Sequence, residues 1–504
     1  MHASNRSLRR LPLHLALAAV LAPTGSGFAA EIAAGLREMA ARDGTVDALV
    51  VLSAKAPRSL LRTDGDYRER RRALVDTLRA TADVSQAGVR AWLDAEGVEY
   101  RAFWIVNMIQ ARLTPEQLDA LAARSDIAAL RTNAPVMLAR PVEVDVPAPL
   151  SVNAIEWGVE RVRAPLVWAA GHTGQGIVVA DQDTGVRWTH NAIKAKYRGW
   201  NGTTADHSYN WHDAVHGSGN AICPGDRPAP CDDDGHGSHT VGTILGDDGG
   251  SNQVGVAPGA KWIGCRNMNA GTGTPAMYNE CAQFFLAPTD ASGANPDPDR
   301  APDVISNSWG CPASEGCTAG NEVREAIENL VAGGIVFVAA AGNSGSACSS
   351  ILDAPATYEA SLTVGSMTSG NAMSGFSSRG PVVGLAAVKP DIVAPGSSVR
   401  SITRSSDSAY TSLSGTSMAT PHVAGVVALL MSVDPSLRGD PARVAALLRE
   451  TAVPLTSSTQ VCGGIPATTI PNPVQGHGRV DAWNAYIHLD RLFAHDFDPT
   501  ALRP

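Results

Sequence analysis

From Ile335 to Ala341 the chain runs through seven consecutive apolar residues and then breaks at Gly342-Asn343. A strand that is apolar at every position must be covered on both faces, which is the condition of a strand inside a parallel sheet. A second β-type run, Ile177 to Ala180, and a helix-like apolar run, Val423 to Met431, alternate with it along the chain. This alternation predicts a three-layer α/β/α fold with a mainly parallel sheet. The 504 residues, 44% of them apolar, suffice for two or three domains and a large core. A net charge of −9 over this length argues against nucleic-acid binding and gives no reason to expect a membrane surface. Beyond the N-terminus no apolar run approaches the ~20 residues needed to span a bilayer.

The ends of these runs carry reactive side chains. Ser417, within GTSMATPH (Gly415 to His422), lies just before the Val423 run and so at a predicted helix N-terminus. Free N–H groups and the positive end of the helix dipole there stabilise a negatively charged neighbour. Asp183, within VVADQDTG, follows the Ile177 run into a Thr-Gly turn. His236 is flanked by glycines in DDDGHGSHTVGT, Asp232 to Thr243. Taken singly, these are an N-cap serine, a turn aspartate and a loop histidine. Together they give the order Asp183, His236, Ser417, one of the three known chain orders of a Ser-His-Asp triad. The G-x-S-x-G pattern of another order fails, because Ala419 stands at the second glycine.

On these three blocks, the chain from about Ala154 to Tyr486 resembles the subtilisin-like serine peptidase (subtilase) family. FFLAPTD (Phe284 to Asp290), SNSWGCP (Ser306 to Pro312) and GHGRVDAW (Gly476 to Trp483) are similar to its bacillopeptidase-F-like branch. The resemblance implies a serine endopeptidase in which Ser417 attacks the peptide carbonyl, His236 moves the proton and Asp183 orients the imidazole. It assigns the Asn343 side-chain amide and the Ser417 N–H to the oxyanion. It assigns Ser308-Trp309-Gly310 to a strand that pairs with substrate backbone. Gly342 and the segment after Asn343 line the first specificity pocket. Aligning Pro355 and Tyr358 with the family pattern puts Asp353 near the pocket floor. There it either favours Lys or Arg at P1, or caps a turn or pairs elsewhere. No cofactor is implied for catalysis. A structural calcium stays open: the loop Gly246 to Gly259 has the family's length, but its carboxylate ligand, nine residues after the triad aspartate, is Ala192 here. Asp247 and Asp248 either compensate, or that site is absent. The run Asp232 to Asp234 reads as solvated loop charge in preference to another ligand cluster, and there it favours the protonated imidazole of His236.

The N-terminus reads as a signal peptide, residues 1–30: Arg6, Arg9 and Arg10, an apolar Leu11 to Ala22, and the small-x-small Gly27-Phe28-Ala29. Residues 31–135 read as a small α+β unit resembling the family's propeptide, which is folding aid and inhibitor. Its strands are placed at Val46 to Ser53 and Phe103 to Leu113, and Thr114 and Gln117 form a capping pair. A proline-rich linker, 136–152, is the expected site of self-cleavage. The peptidase domain follows at 153–490, with a short tail at 491–504. All eight cysteines follow the linker, which with a signal peptide predicts disulfides and a secreted or periplasmic protein. Sequence proximity pairs Cys223 with Cys231, Cys265 with Cys281 and Cys311 with Cys317, leaving Cys348 for Cys462. The expected partners are protein or peptide substrates and the chain's own propeptide, with a monomeric enzyme. A catalytically silent binding homologue and a small-ester esterase are the other readings. The intact triad opposes the first; the propeptide and substrate strand oppose the second.

Overall fold

The computed structural model describes residues 30–57, 65–138, 142–143, 155–217, 219–311 and 323–496. The predicted signal segment up to residue 29, most of the linker and the tail beyond 496 lie outside them.

The first unit is α+β. Its strands are β1 (Glu31–Ile32), β2 (Val46–Leu52), β3 (Tyr100–Phe103), β4 (Met108–Leu113) and β5 (Ile127–Thr132), in the order β1-β5-β2-β4-β3. Its helices are α1 (Leu36–Asp43), α2 (Tyr67–Ala95) and α3 (Pro115–Ala122). Helix α2 starts at Asp66, whose carboxylate accepts from the Arg68 N–H, and buries Leu74, Val75, Leu78, Ala82, Val89 and Leu93 along one stripe. Thr114 and Gln117 make both bonds of the expected capping box at α3. Two short strands follow, β6 (Val136–Met137) and β7 (Val142–Glu143).

Helices α4 (Trp157–Arg161) and α5 (Ala164–Ala169) lead into the second unit. Seven strands form its sheet: β8 (Val178–Asp183), β9 (Trp211–Asp213), β10 (Lys261–Arg266), β13 (Val304–Asn307), β14 (Val336–Ala340), β15 (Leu362–Met367) and β16 (Ile392–Pro395). Between β10 and β13 lie β11 (Met268–Asn269) and β12 (Thr272–Gly273); β17 (Val399–Ile402) and β18 (Tyr410–Ser414) follow β16. The large sheet runs β16-β15-β14-β13-β8-β10-β9, and every neighbouring pair is parallel. Strand β14 is buried throughout, as the apolar run demands.

Helices cover the sheet: α6 (His236–Leu245), α7 (Pro275–Leu286), α8 (Arg324–Ala332), α9 (Thr416–Val433), α10 (Pro441–Thr451) and α11 (Ala482–Asp496). Helix α9 packs on α6 and across β13, β14, β15 and β16. It is the one helix among the described residues long and apolar enough to cross a membrane, but 89% of it is buried as the central core helix.

The chain fills the sheet on one side of β8 with β10 and β9, then crosses to add β13 on the other. Such a switch opens a crevice at the carboxyl ends of the strands, the usual ligand position in open α/β sheets. Asp183 ends β8, and Asn343 follows the end of β14.

The first unit docks on α7 and α8. Gln283 accepts from the Trp104 N–H at 2.7 Å, Asn329 donates to the Ile105 carbonyl at 2.7 Å, and Arg71 donates to the Gly333 carbonyl at 2.6 Å. Leu74, Leu78, Phe103, Ile105 and Val106 join Phe285, Leu286 and Leu330 in one buried cluster across this junction. Disulfides join Cys223–Cys231 and Cys265–Cys281, as sequence proximity predicted, and Cys348–Cys462, the pair it left over. Cys311 is also disulfide-bonded, and its expected partner Cys317 lies outside the described residues.

Candidate active site

Asp183 reaches its place because β8 ends there and the backbone turns at Gly185. That glycine has φ of +104°, and a Cβ on it would lie 1.8 Å from the Cys231 carbonyl oxygen, so the approach excludes any side chain. Both Asp183 carboxylate oxygens lie 2.8 Å from His236 Nδ1, and one also accepts from the Thr184 N–H at 2.7 Å. The bond to Asp183 fixes the tautomer with Nδ1 protonated, leaving Nε2 as the basic nitrogen. His236 Nε2 has no hydrogen-bond partner among the described residues. Burial pulls the imidazole pKa down, but Asp183, assisted by Asp234 and Asp232, outweighs it and raises the value above 6.5.

The acidic run before His236 is not the solvated charge expected from sequence. Asp232 and Asp233 are both buried. Asp232 accepts from the N–H groups of Gly235 at 2.8 Å and Ser238 at 3.0 Å and from the Ser238 hydroxyl at 2.6 Å. It therefore caps α6, the helix that His236 begins. The Thr184 hydroxyl donates to Asp232 at 3.0 Å and accepts from the Gly237 N–H at 3.0 Å, tying the turn after Asp183 to the start of α6. Asp233 pairs at 2.6 Å with the fully buried Arg266.

Ser417 sits in the first turn of α9, where backbone N–H groups lack helical partners. Pro421 lies four residues on and has no N–H to give the Ser417 carbonyl. That carbonyl instead accepts from the Ser308 hydroxyl at 3.1 Å, and the Ser417 hydroxyl donates to the Ser308 carbonyl at 3.0 Å. Asp183, His236 and Ser417 are 1%, 2% and 3% exposed, so the site is covered in this form.

The Asn343 carbonyl oxygen accepts from both the N–H and the hydroxyl of Thr416, each at 2.9 Å. Two donors on the oxygen settle which end of the amide is which, and leave the NH₂ end turned away from Thr416. Thr416 also accepts from the Gly342 N–H at 3.2 Å. Sequence reasoning missed Thr416, although it lies inside GTSMATPH; its signal is a hydroxyl at the first helical position, beside the serine.

Ser308, Trp309 and Gly310 follow the end of β13 and lie outside the sheet's ladder. Trp309 stacks on Tyr278 with ring centroids 3.7 Å apart. Gly310 faces Asp353, and a Cβ built on Gly310 would lie 3.0 Å from the Asp353 Cβ. The edge that the structure shows occupied is β12. Val136 pairs with Gly273 and Met137 with Thr272, antiparallel, and the Leu138 N–H donates to the Gly271 carbonyl at 2.7 Å. The signal missed was Gly271-Thr272-Gly273, a nearly bare backbone edge. Farther along, Val142 pairs with Ser414 and Glu143 with Leu413 on β18, which runs into α9 and Ser417.

A further acid stands behind the triad. Asp181 shares a face of β8 with Asp183, two residues away, and is buried. One of its oxygens accepts from the Thr240 hydroxyl at 3.1 Å, a hydroxyl that also reaches the Gly237 carbonyl at 2.8 Å. Burial first, and the Asp183 charge second, hold its carboxyl well above the usual carboxylate range.

An aspartate-paired imidazole and a serine at a helix start, both at the carboxyl edge of a parallel sheet, define a class of hydrolase. Residues 174–478, more than half of the chain, match the subtilase (peptidase S8) family. The chain belongs to this family, whose members are serine endopeptidases. It is 34% identical to Bacillopeptidase F of Bacillus subtilis (strain 168) over 435 residues, covering 83% of this chain and 28% of that protein. It is 33% identical to Subtilisin DY of Bacillus licheniformis over 293 residues, 58% of this chain and 89% of that one. It is 31% identical to Subtilisin Savinase of Lederbergia lenta over 314 residues, 62% and 97% of the two chains. The chain thus spans little more than a quarter of Bacillopeptidase F, yet most of the two subtilisins.

Proposed function

We propose that the chain is a secreted serine endopeptidase, made as a precursor that cuts itself. The observation that carries the reading is the His236–Asp183 pair, two contacts of 2.8 Å, at the head of α6, which packs on the helix that carries Ser417 in its first turn. Ser417 Oγ attacks the peptide carbonyl, His236 Nε2 takes its proton and returns it to the leaving amine, and Asp183 stabilises the imidazolium. The Asn343 NH₂ group and the Ser417 N–H receive the oxyanion. For the Ser417 proton to reach His236, the hydroxyl rotates off the Ser308 carbonyl. The disulfides support an oxidising compartment.

Residues 31–135 act as the propeptide. The first residues of the linker, β6, lie on β12 as a substrate would, and the chain resumes on β18. The bond cut lies between Leu138 and Val142. Wild-type protein should yield a mature N-terminus within that interval by protein sequencing. Ser417→Ala should leave the precursor intact and unlabelled by a fluorophosphonate; normal processing of that variant overturns the reading.

The approach of Asp353 to Gly310 supports an acidic floor in the first pocket. A carboxylate there favours Lys or Arg at P1. Peptides differing only in Arg, Phe or Leu at P1 test this. Asp353→Ser should abolish the Arg preference, and its absence in the wild type refutes the assignment.

A further inference from the structure

The family resemblance raises the question of a calcium ion at the loop after α6. The donor set does not fit one. Calcium takes six to eight oxygens at about 2.3–2.6 Å, with carboxylates among them. Here Ala192 supplies no carboxylate. Its carbonyl accepts from the Lys196 ammonium at 3.0 Å and from the Asp247 N–H at 3.0 Å, and the Asp247 carbonyl accepts from the same ammonium at 2.7 Å.

The two acidic side chains are turned into the loop's own backbone. Asp247 accepts from the Gly249 N–H at 2.9 Å. Asp248 accepts from the Gly250 N–H at 2.9 Å and from the Asn252 amide at 2.6 Å. The Asn252 oxygen is taken by Arg400 at 2.6 Å, and the Gln253 carbonyl by the Glu156 N–H at 2.9 Å. A dication brought to the two carbonyls would meet an ammonium already bound to both, and like charges at that range repel strongly.

We propose that Lys196 is the resident cation of this loop and that the loop holds no calcium. The lysine is a compact charge with several donors on a long stem. It joins the Ala192 carbonyl to the Asp247 carbonyl, so the start of the loop after α6 is braced by the chain itself. Lys261 stands nearby, donating to the Ala195 carbonyl at 2.9 Å, and adds positive charge on the same side.

Hydrogen exchange of the peptide covering residues 246–255 tests this in the full-length Ser417→Ala protein, which cannot digest itself under the proposed function. Exchange there should be the same with added calcium as with excess chelator. Lys196→Met should speed it equally in both. Slower exchange in this loop on adding calcium overturns the proposal, as does unchanged exchange in Lys196→Met. The calcium comparison needs no substitution at Lys196, so it decides the matter even where that variant fails to fold.

Discussion

Asn343 is an asparagine whose amide is oriented by another residue. Replacing it with Leu removes the donor and should lower kcat about 100- to 1000-fold with little change in KM, measured on a peptide amide substrate. Under the proposed mechanism His236 sets the acid limb of the rate profile. Because Asp183 outweighs burial and raises its pKa above 6.5, and only the neutral imidazole accepts the serine proton, kcat/KM should fall on acidification with a midpoint above 6.5. Asp183→Asn should lower that midpoint as well as the rate, the latter by about 10⁴-fold. Asp181 acts in the opposite sense on stability. Its folded pKa is raised, so its contribution is full below the unfolded carboxylate value and is lost as pH rises. Asp181→Asn stays neutral at every pH and keeps an acceptor for Thr240, so it escapes that loss. The melting-temperature gain of the variant should widen from about pH 4 upward; a constant gap would refute a raised Asp181 pKa. The placement of Asp183 at a strand end and of Ser417 in the first turn of a helix was legible because each sits in a short motif at the end of a patterned run. The burial of Asp232 was not, because Thr184 and Ser238 meet it only after folding.

At the level of elements, the first turn of α9 gathers several functions into few residues. Thr416 orients the amide of Asn343, Ser417 is the proposed nucleophile, and Pro421 frees the Ser417 carbonyl for Ser308. Thr416→Val should therefore lower kcat, by less than Asn343→Leu does, because the amide is loosened rather than lost. Equal kcat in Thr416→Val and the wild type would show the orientation to be set elsewhere. The parallel strands could be read from sequence because an all-apolar run has few alternatives. The paired edge could not. Ser308-Trp309-Gly310 drew attention through its resemblance, whereas β12 is two residues long with little side-chain pattern to read.

Across the whole molecule, covalent and non-covalent ties divide the work. Cys348–Cys462 closes a separation of 114 residues, against 8 for Cys223–Cys231. On a chain-entropy account the long loop is worth about 4–5 kcal/mol and a short one under about 3. Replacing Cys348 and Cys462 with Ala should lower the melting temperature more than replacing Cys223 and Cys231; the reverse order would point to local packing instead. The docking of the first unit lay beyond sequence, since Gln283, Asn329 and Arg71 meet partners that no local pattern announces. What the sequence did show was a separate α+β segment ahead of the peptidase.

The segments on β12 and β18 belong to the same chain as Ser417, and this fixes the molecularity of the first cut. Under the proposed self-processing the reacting bond arrives with its nucleophile, so the step is first order. The half-time of precursor conversion should be unchanged by dilution, and adding mature enzyme should not shorten it. Every later cleavage is an encounter between two molecules and slows as either is diluted.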